Sequence, residues 1–292
     1  MSSLVSLLKT IRGNLYRYHI QVMDNDTTLT HVLRDHLSVI RFGDGEFNVI
    51  AGHNIPYQKY EGELAHEMEM IIMNGSSDSI MVCLPDVFTK MGRYNRQCRI
   101  FYYESFFYQN RRLLNRIQSA HRMYGSTFLS RPYIDMKDKS NAATYFSKLK
   151  TLWTNRDILI VEGKYTRSGE NNDLFANANS VKRIIAPSHD AFDKHQIIEK
   201  AIIKYAGDRL ILLMLGPTSK VIAYNLKSKQ HLPNQIIDIG HIDSEYEWFR
   251  MGTTKKVKIA HKHTAEFNND DNKVTLLNDP EYKKQIVEII DY

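Results

Sequence analysis

Short β-branched runs alternating with longer stretches of helical period narrow the folds open to this chain more than any other feature. The strand candidates are Ser38–Phe42, Ser79–Leu84, Thr127–Ser130, Asp157–Val161, Arg183–Ala186, Leu210–Leu215, Ile236–Ile239 and Lys256–Ile259. Between them, Glu61–Met73, Val87–Ser119, Asn141–Leu152, His195–Tyr205 and Ser219–Leu226 place apolar residues three and four apart, the period of an amphipathic helix. This repetition predicts an α/β fold, a mostly parallel sheet with helices on both faces. The strand runs are nearly all apolar, as burial on both faces requires.

At 292 residues, with no Pro/Gly-rich linker or repeat, the chain reads as one α/β domain over 1–292. Its core runs from about 38 to 266, with helical extensions at the N- and C-terminal ends. Hydrophobic residues at 42% and charged residues at 25% exclude a disordered or fibrous chain. The two cysteines, Cys83 and Cys98, make no disulfide framework and favour a reducing, cytoplasmic setting. Leu4–Leu8, followed by Lys9 and Arg12, reads as an amphipathic helix and is too short for a signal peptide or a membrane span. No other run reaches the length of a transmembrane segment, so a soluble protein is expected. The net charge of +6 favours an anionic partner. Basic residues are scattered, with modest clusters at Arg111–Arg112 and Lys255–Lys258 and no nucleic-acid-binding fingerprint. The aromatic run Phe101–Tyr108 fits a helix core better than a ligand platform.

In open α/β sheets, ligands bind beyond the carboxyl ends of the strands. That rule selects five segments. In Arg41-Phe42-Gly43-Asp44-Gly45-Glu46, two carboxylates follow a strand between glycines. Extended geometry would put Asp44 and Glu46 on one side, and such oxygen ligands suit Mg²⁺ or Mn²⁺ beside diphosphate. An Asp-Gly turn has the same sequence signature. In the long loop Glu162–Asp173, Arg167 suits a bidentate phosphate contact, while Asn172 and Asp173 suit a ribose or sugar, or a helix cap. Gly216–Lys220, with Thr218 and Lys220, opens a helix whose free N–H groups suit an anion. It lacks the glycine frame of a Walker A loop. Pro187–Asp190 is the fourth segment. In Asp238–Phe249, His241 suits phosphate binding or proton transfer and Trp248 suits stacking, although Asp243–Glu247 equally suits an acidic helix start. Farther on, Lys262 and Glu266 add a cation and a carboxylate, and His261 and His263 lack a third ligand for zinc.

Arg41–Glu46, Phe128–Tyr133, Glu162–Phe175, Gly216–Lys220 and Asp238–Phe249, in this order and spacing, resemble the GT-D type glycosyltransferases. The resemblance spans about Ser38 to Glu266. It implies a Rossmann-like fold, a metal-associated Asp-X-Glu motif matched by Asp44 and Glu46, a UDP-sugar donor and Mn²⁺ or Mg²⁺. It also implies a glycan or glycoprotein acceptor, in some members a bacterial surface adhesin. Arg41, Gly43, Asn172, Asp173, Thr218, Lys220, Asp243 and Lys262 are then expected at the substrate, with Asp44, Glu46, Arg167 and His241 at the chemistry. A homo-oligomer is compatible with this reading. The competing readings are a metal-dependent phosphoesterase or nucleotidyltransferase, and a non-catalytic nucleotide-binding subunit.

Overall fold

Nine strands form one all-parallel sheet in the computed structural model, which describes residues 18–264, 266–267, 270 and 274–291. The first half of the chain supplies β1 (Gln21–Val22), α1 (Asn25–Asp35), β2 (Ser38–Arg41), α2 (Asp44–Ile50), α3 (Gly62–Asn74) and β3 (Ile80–Leu84). These lead through α4 (Arg96–Phe101) and α5 (Arg111–Ser119) to β4 (Met123–Ser126) and α6 (Ala142–Lys150). The second half adds β5 (Asp157–Gly163), β6 (Ser180–Ala186), α7 (His195–Ala206), β7 (Leu210–Met214), α8 (Pro217–Tyr224) and β8 (Ile236–Asp238). It closes with α9 (Ile242–Arg250), α10 (Pro280–Gln285) and β9 (Ile286–Ile289).

The strand order is β1-β4-β3-β2-β8-β7-β5-β6-β9. Winding runs outward from β2 through β3 to β4, and the later strands lie on the other side of β8, so β2 and β8 flank the switch point. Alternate residues of each strand enter separate cores, as the two-residue period of a strand dictates. Ile40, Val82, Leu159 and Leu213 pack with α3, α5, α7 and α8. Val39, Met81, Ile160 and Leu212 pack on the other face with α1, α6 and α9. Among the described residues, no helix is long and apolar enough to cross a membrane.

Several expectations need correction. Thr127–Ser130 is a 3₁₀ turn, opened where the Ser126 hydroxyl accepts from Phe128 N at 3.1 Å. The strand is β4, immediately before it. Its Gly125 lies against Cys83, Met81 and Thr28, where an added Cβ would fall within 3 Å of each. Lys256–Ile259 joins no ladder. Val87–Ser119 is not one helix. Asn95 caps Cys98 N at 2.9 Å to begin α4, which passes through a π-helical stretch, Tyr102–Phe106, and Phe107–Gln109 before α5. Among its described residues the C-terminal extension is helical only in α10, and the β-branched run that follows pairs with β6 as β9. The expected helix at Leu4–Leu8 lies outside the described residues.

Candidate active site at the carboxyl edge of the sheet

A cavity of about 570 Å³ opens above the carboxyl ends of β2, β8, β7, β5 and β4, as the switch-point rule requires. Its floor is a buried charge network. Arg41 donates to the Asp238 carboxylate at 3.1 Å and to the Asp238, Gly240 and Thr127 carbonyls. Lys220 Nζ lies 2.8 Å from Glu46 Oε1, 3.0 Å from Asp238 Oδ2 and 3.0 Å from the Gly216 carbonyl. Burial alone would raise the Asp238 pKa, but Arg41 and Lys220 outweigh it and hold the carboxylate below its usual range. Strands from both halves of the sheet are thereby pinned together by charge.

Gly43 is the N-cap of α2, so Asp44 and Glu46 occupy its first turn and do not share one side of an extended strand. Glu46 reaches back and accepts from Gly43 N at 2.8 Å, which is one half of a capping box, glycine having no side chain to supply the other. Asp44 instead faces the cavity, exposed, and among the described residues its carboxylate forms no ion pair. Crowding by the cavity walls strips part of its hydration and raises its pKa; Glu46 adds to this, while Arg131 and Lys256 oppose it.

A second charged group forms the wall on the β4 side. Arg131 lies 3.1 Å from Asp135, 3.2 Å from Glu266 and 3.7 Å from Glu245, and Lys256 lies 2.8 Å from Glu266. Burial works against ionisation of Glu266, yet Arg131 and Lys256 hold its pKa down at about 2. His241, half-buried at the start of α9 with φ 68°, also lines the cavity. Desolvation and the neighbouring Arg131 lower its pKa to about 3, so the imidazole is neutral at physiological pH.

Of the residues singled out by sequence, Arg41, Gly43, Asp44, Glu46, Lys220, His241 and Asp243 line this cavity. Arg167, Asn172, Asp173, Thr218 and Lys262 do not. Arg167 turns inward, paired with Glu170, bonded to the Leu277 carbonyl and set 4.2 Å over the Tyr282 ring. Asp173 caps no helix; it pairs with Lys150 and accepts from Tyr246 Oη at 2.8 Å. Asn172 donates to Asp243 at 2.9 Å, and Lys262 Nζ lies 2.8 Å from the same carboxylate. These two hold the cavity wall from behind. Thr218 is buried against Gln58, and Trp248 is a core residue whose indole donates to the Val257 carbonyl. Sequence reasoning placed none of Arg131, Asp135, Lys256 and Phe101 at the site: it assigned Phe101 to a helix core and Lys256 to a strand, and gave Arg131 no role within Phe128–Tyr133. Arg131 was within its reach, since it directly follows the expected strand Thr127–Ser130, but that strand end was not among the five segments selected.

A doubly wound parallel sheet with a charged cavity at its switch point is the frame of an α/β enzyme. The chain belongs to the family described as Glycosyltransferase GT-D fold, which matches residues 39–267. It is 50% identical over 274 residues to Glycosyltransferase GlyD of Streptococcus pneumoniae serotype 4. It is 46% identical over 268 residues to the probable glycosyl transferase Gly of Streptococcus gordonii. Each alignment covers 92% of this chain but only 32% and 38% of the relatives, so the chain spans about a third of their length. A solved glycosyltransferase (DUF1792) from Streptococcus sanguinis superposes with TM-score 0.88 at 45% identity, over 94% of this chain and 100% of that one. A second solved structure, of the highly conserved domain of unknown function 1792 with a distinct glycosyltransferase fold, gives 0.89 at 45% identity over 98% and 100%. The fold class and family expected from the sequence are therefore the ones found.

Proposed function

We propose that this domain transfers a sugar from a UDP-linked donor to a glycan or glycoprotein acceptor, with Mn²⁺ or Mg²⁺ held at Asp44. The observation that carries this reading is the charge of the cavity. Asp44, Glu46, Asp135, Asp238, Asp243 and Glu266 line it against Arg41, Arg131, Lys220 and Lys256. A diphosphate enters such a surface favourably only with a cation, and among the described residues Asp44 is the lining carboxylate left without an ion pair. Oxygen ligation by one carboxylate, diphosphate and water suits Mg²⁺ or Mn²⁺. Glu46, also expected at the ion, has one oxygen on Lys220 and the other on the Gly43 amide, so it supports Asp44 from behind.

Bound there, the ion would neutralise charge on the departing nucleotide diphosphate. Gly43 and Gly45 let the donor approach the backbone closely, and Arg41 and Lys220 keep the crevice floor rigid beneath it. His241, uncharged, serves as a hydrogen-bonding group. The free, buried thiols of Cys83 and Cys98 fit a cytoplasmic setting, and the streptococcal relatives fit a role in surface glycan assembly. Asp44→Asn tests the reading. With a UDP-sugar panel, Mn²⁺ and glycan acceptors, turnover should fall about a hundredfold or more. The melting temperature should barely move, because the side chain is exposed and unpaired. Full turnover with metal dependence preserved sinks the assignment, and release of inorganic phosphate in place of a glycan product indicates a phosphoesterase.

A further inference from the structure

The cavity has two chemically different flanks. On the β5–β7 side the loops contribute Gly163, Thr166, Ser188 and Gly216, and the charges there, Lys220 and Asp243, are already held in ion pairs with Glu46, Asp238 and Lys262. On the other side, the loop after β4 and the chain beyond α9 contribute Arg131, Asp135, Lys256 and Glu266. A phosphate has no place among Asp135 and Glu266, whose negative charge would repel it. A neutral polyol does, because paired carboxylates and guanidinium offer fixed acceptors and donors to adjacent hydroxyls. Hydrogen-bonding capacity also remains in this wall: among the described residues, Arg131 Nε and Glu266 Oε2 are buried without a hydrogen bond.

An aromatic ring completes the flank. Tyr102, Phe106 and Phe107 of the same helical run are buried, yet Phe101 is 40% exposed and lines the cavity, edge-on to Tyr102 at 5.2 Å. Core packing does not account for its place. An exposed ring beside carboxylates matches the two faces of a pyranose, whose hydroxyl edge and apolar C–H face need different partners.

We propose that Arg131, Asp135, Glu266, Lys256 and Phe101 form the acceptor subsite, which takes a hexose through two adjacent hydroxyls while the ring rests on Phe101. The proposal rests on the transfer reading above and adds where the acceptor sits and what holds it. Asp44 lines the same cavity and feels the charges of Arg131 and Lys256 in this wall, so the acceptor hydroxyl would meet a donor held at Asp44.

The test uses p-nitrophenyl hexosides, their single-deoxy analogues, UDP-sugar and Mn²⁺, with Asp135→Asn and Phe101→Ala variants. Phe101 is exposed enough for its variant to fold. Each variant should raise the hexoside KM by about tenfold, the scale of one hydrogen bond to a charged group or one stacking contact. The UDP-sugar KM should move less than about twofold. One single-deoxy hexoside should be a poor acceptor for the wild type yet suffer no further loss with Asp135→Asn, a coupling that a merely structural role would not produce. A raised UDP-sugar KM with the hexoside KM constant overturns the proposal, as does hexoside discrimination that neither variant alters. If UDP raises the wild-type melting temperature but saturation-transfer NMR detects no hexoside, the acceptor subsite is overturned and the transfer reading stands. If UDP itself does not bind, the transfer reading is what fails.

Discussion

Glu245 has no exposed surface, and one carboxylate oxygen accepts from Tyr133 N and Ile134 N at 3.0 and 2.9 Å. It ties α9 to the loop that carries Arg131 and Asp135 into the cavity. Burial raises its pKa to about 7, with Asp135 adding and Arg131 and the two amides opposing. A folded pKa above the unfolded value means that the stability it contributes is complete below about 4.5 and is lost as pH rises to about 7. The shift corresponds to on the order of 3 kcal/mol. Glu245→Gln keeps an acceptor for both amides and removes the buried charge. Relative to wild type, the variant should therefore gain stability across pH 4.5 to 7 and hold that gain above it, as read by denaturant melts along a pH series. A constant difference at every pH would show that the carboxyl does not titrate in this window.

At the scale of elements, the C-terminal segment matters more than its sequence suggests. Tyr282 on α10 donates to Glu162 Oε1 at 2.8 Å, and its ring lies between the guanidiniums of Arg167 and Arg183 at 4.2 and 4.4 Å. Glu162 in turn accepts from Ser168 N at 2.7 Å, so α10 braces the loop that forms one cavity wall. Tyr282→Ala should cost about 3–5 kcal/mol by thermal or urea melting, and Arg167→Ala should lower stability more than turnover. Here the sequence was hard to read. Nothing local to Tyr282 or Arg167 announces a partner more than a hundred residues away, whereas a phosphate-binding arginine in a long loop is a familiar local pattern. By contrast, β2, β3, β5, β7 and β8 were legible because their apolar runs need no distant partner to identify them. The place of Asp44 at the cavity was legible for the same reason, since it is a carboxylate next to glycine just beyond such a run. The helical placement of Asp44 and Glu46 was not, since Gly-Asp-Gly-Glu suits a turn as well as a helix start.

For the whole molecule, the proposed function would make the acidic cavity link stability to ligand and metal together. UDP with Mn²⁺ should raise the melting temperature clearly, with about 2.7 kcal/mol of stabilisation at a hundredfold excess over Kd, and UDP in chelator much less. Equal shifts in calorimetry would remove the ion from the binding step. The same charge pattern has a kinetic consequence. The chain carries +6 overall, yet its cavity holds more carboxylates than lysines and arginines, so the outer surface and the entrance pull on an anion in opposite senses. On the proposed reading, free UDP would be drawn in over distances comparable to the Debye length of about 10 Å at 0.1 M salt and then repelled at the mouth. A nucleotide already joined to a divalent ion has lost two of its negative charges and would feel less of either force. Stopped-flow association should accordingly slow several-fold for free UDP between about 20 and 200 mM salt and change little for the Mn²⁺ complex. In the cell the domain would then discriminate among arriving nucleotides by whether they come with a metal ion before it reads which sugar they bear.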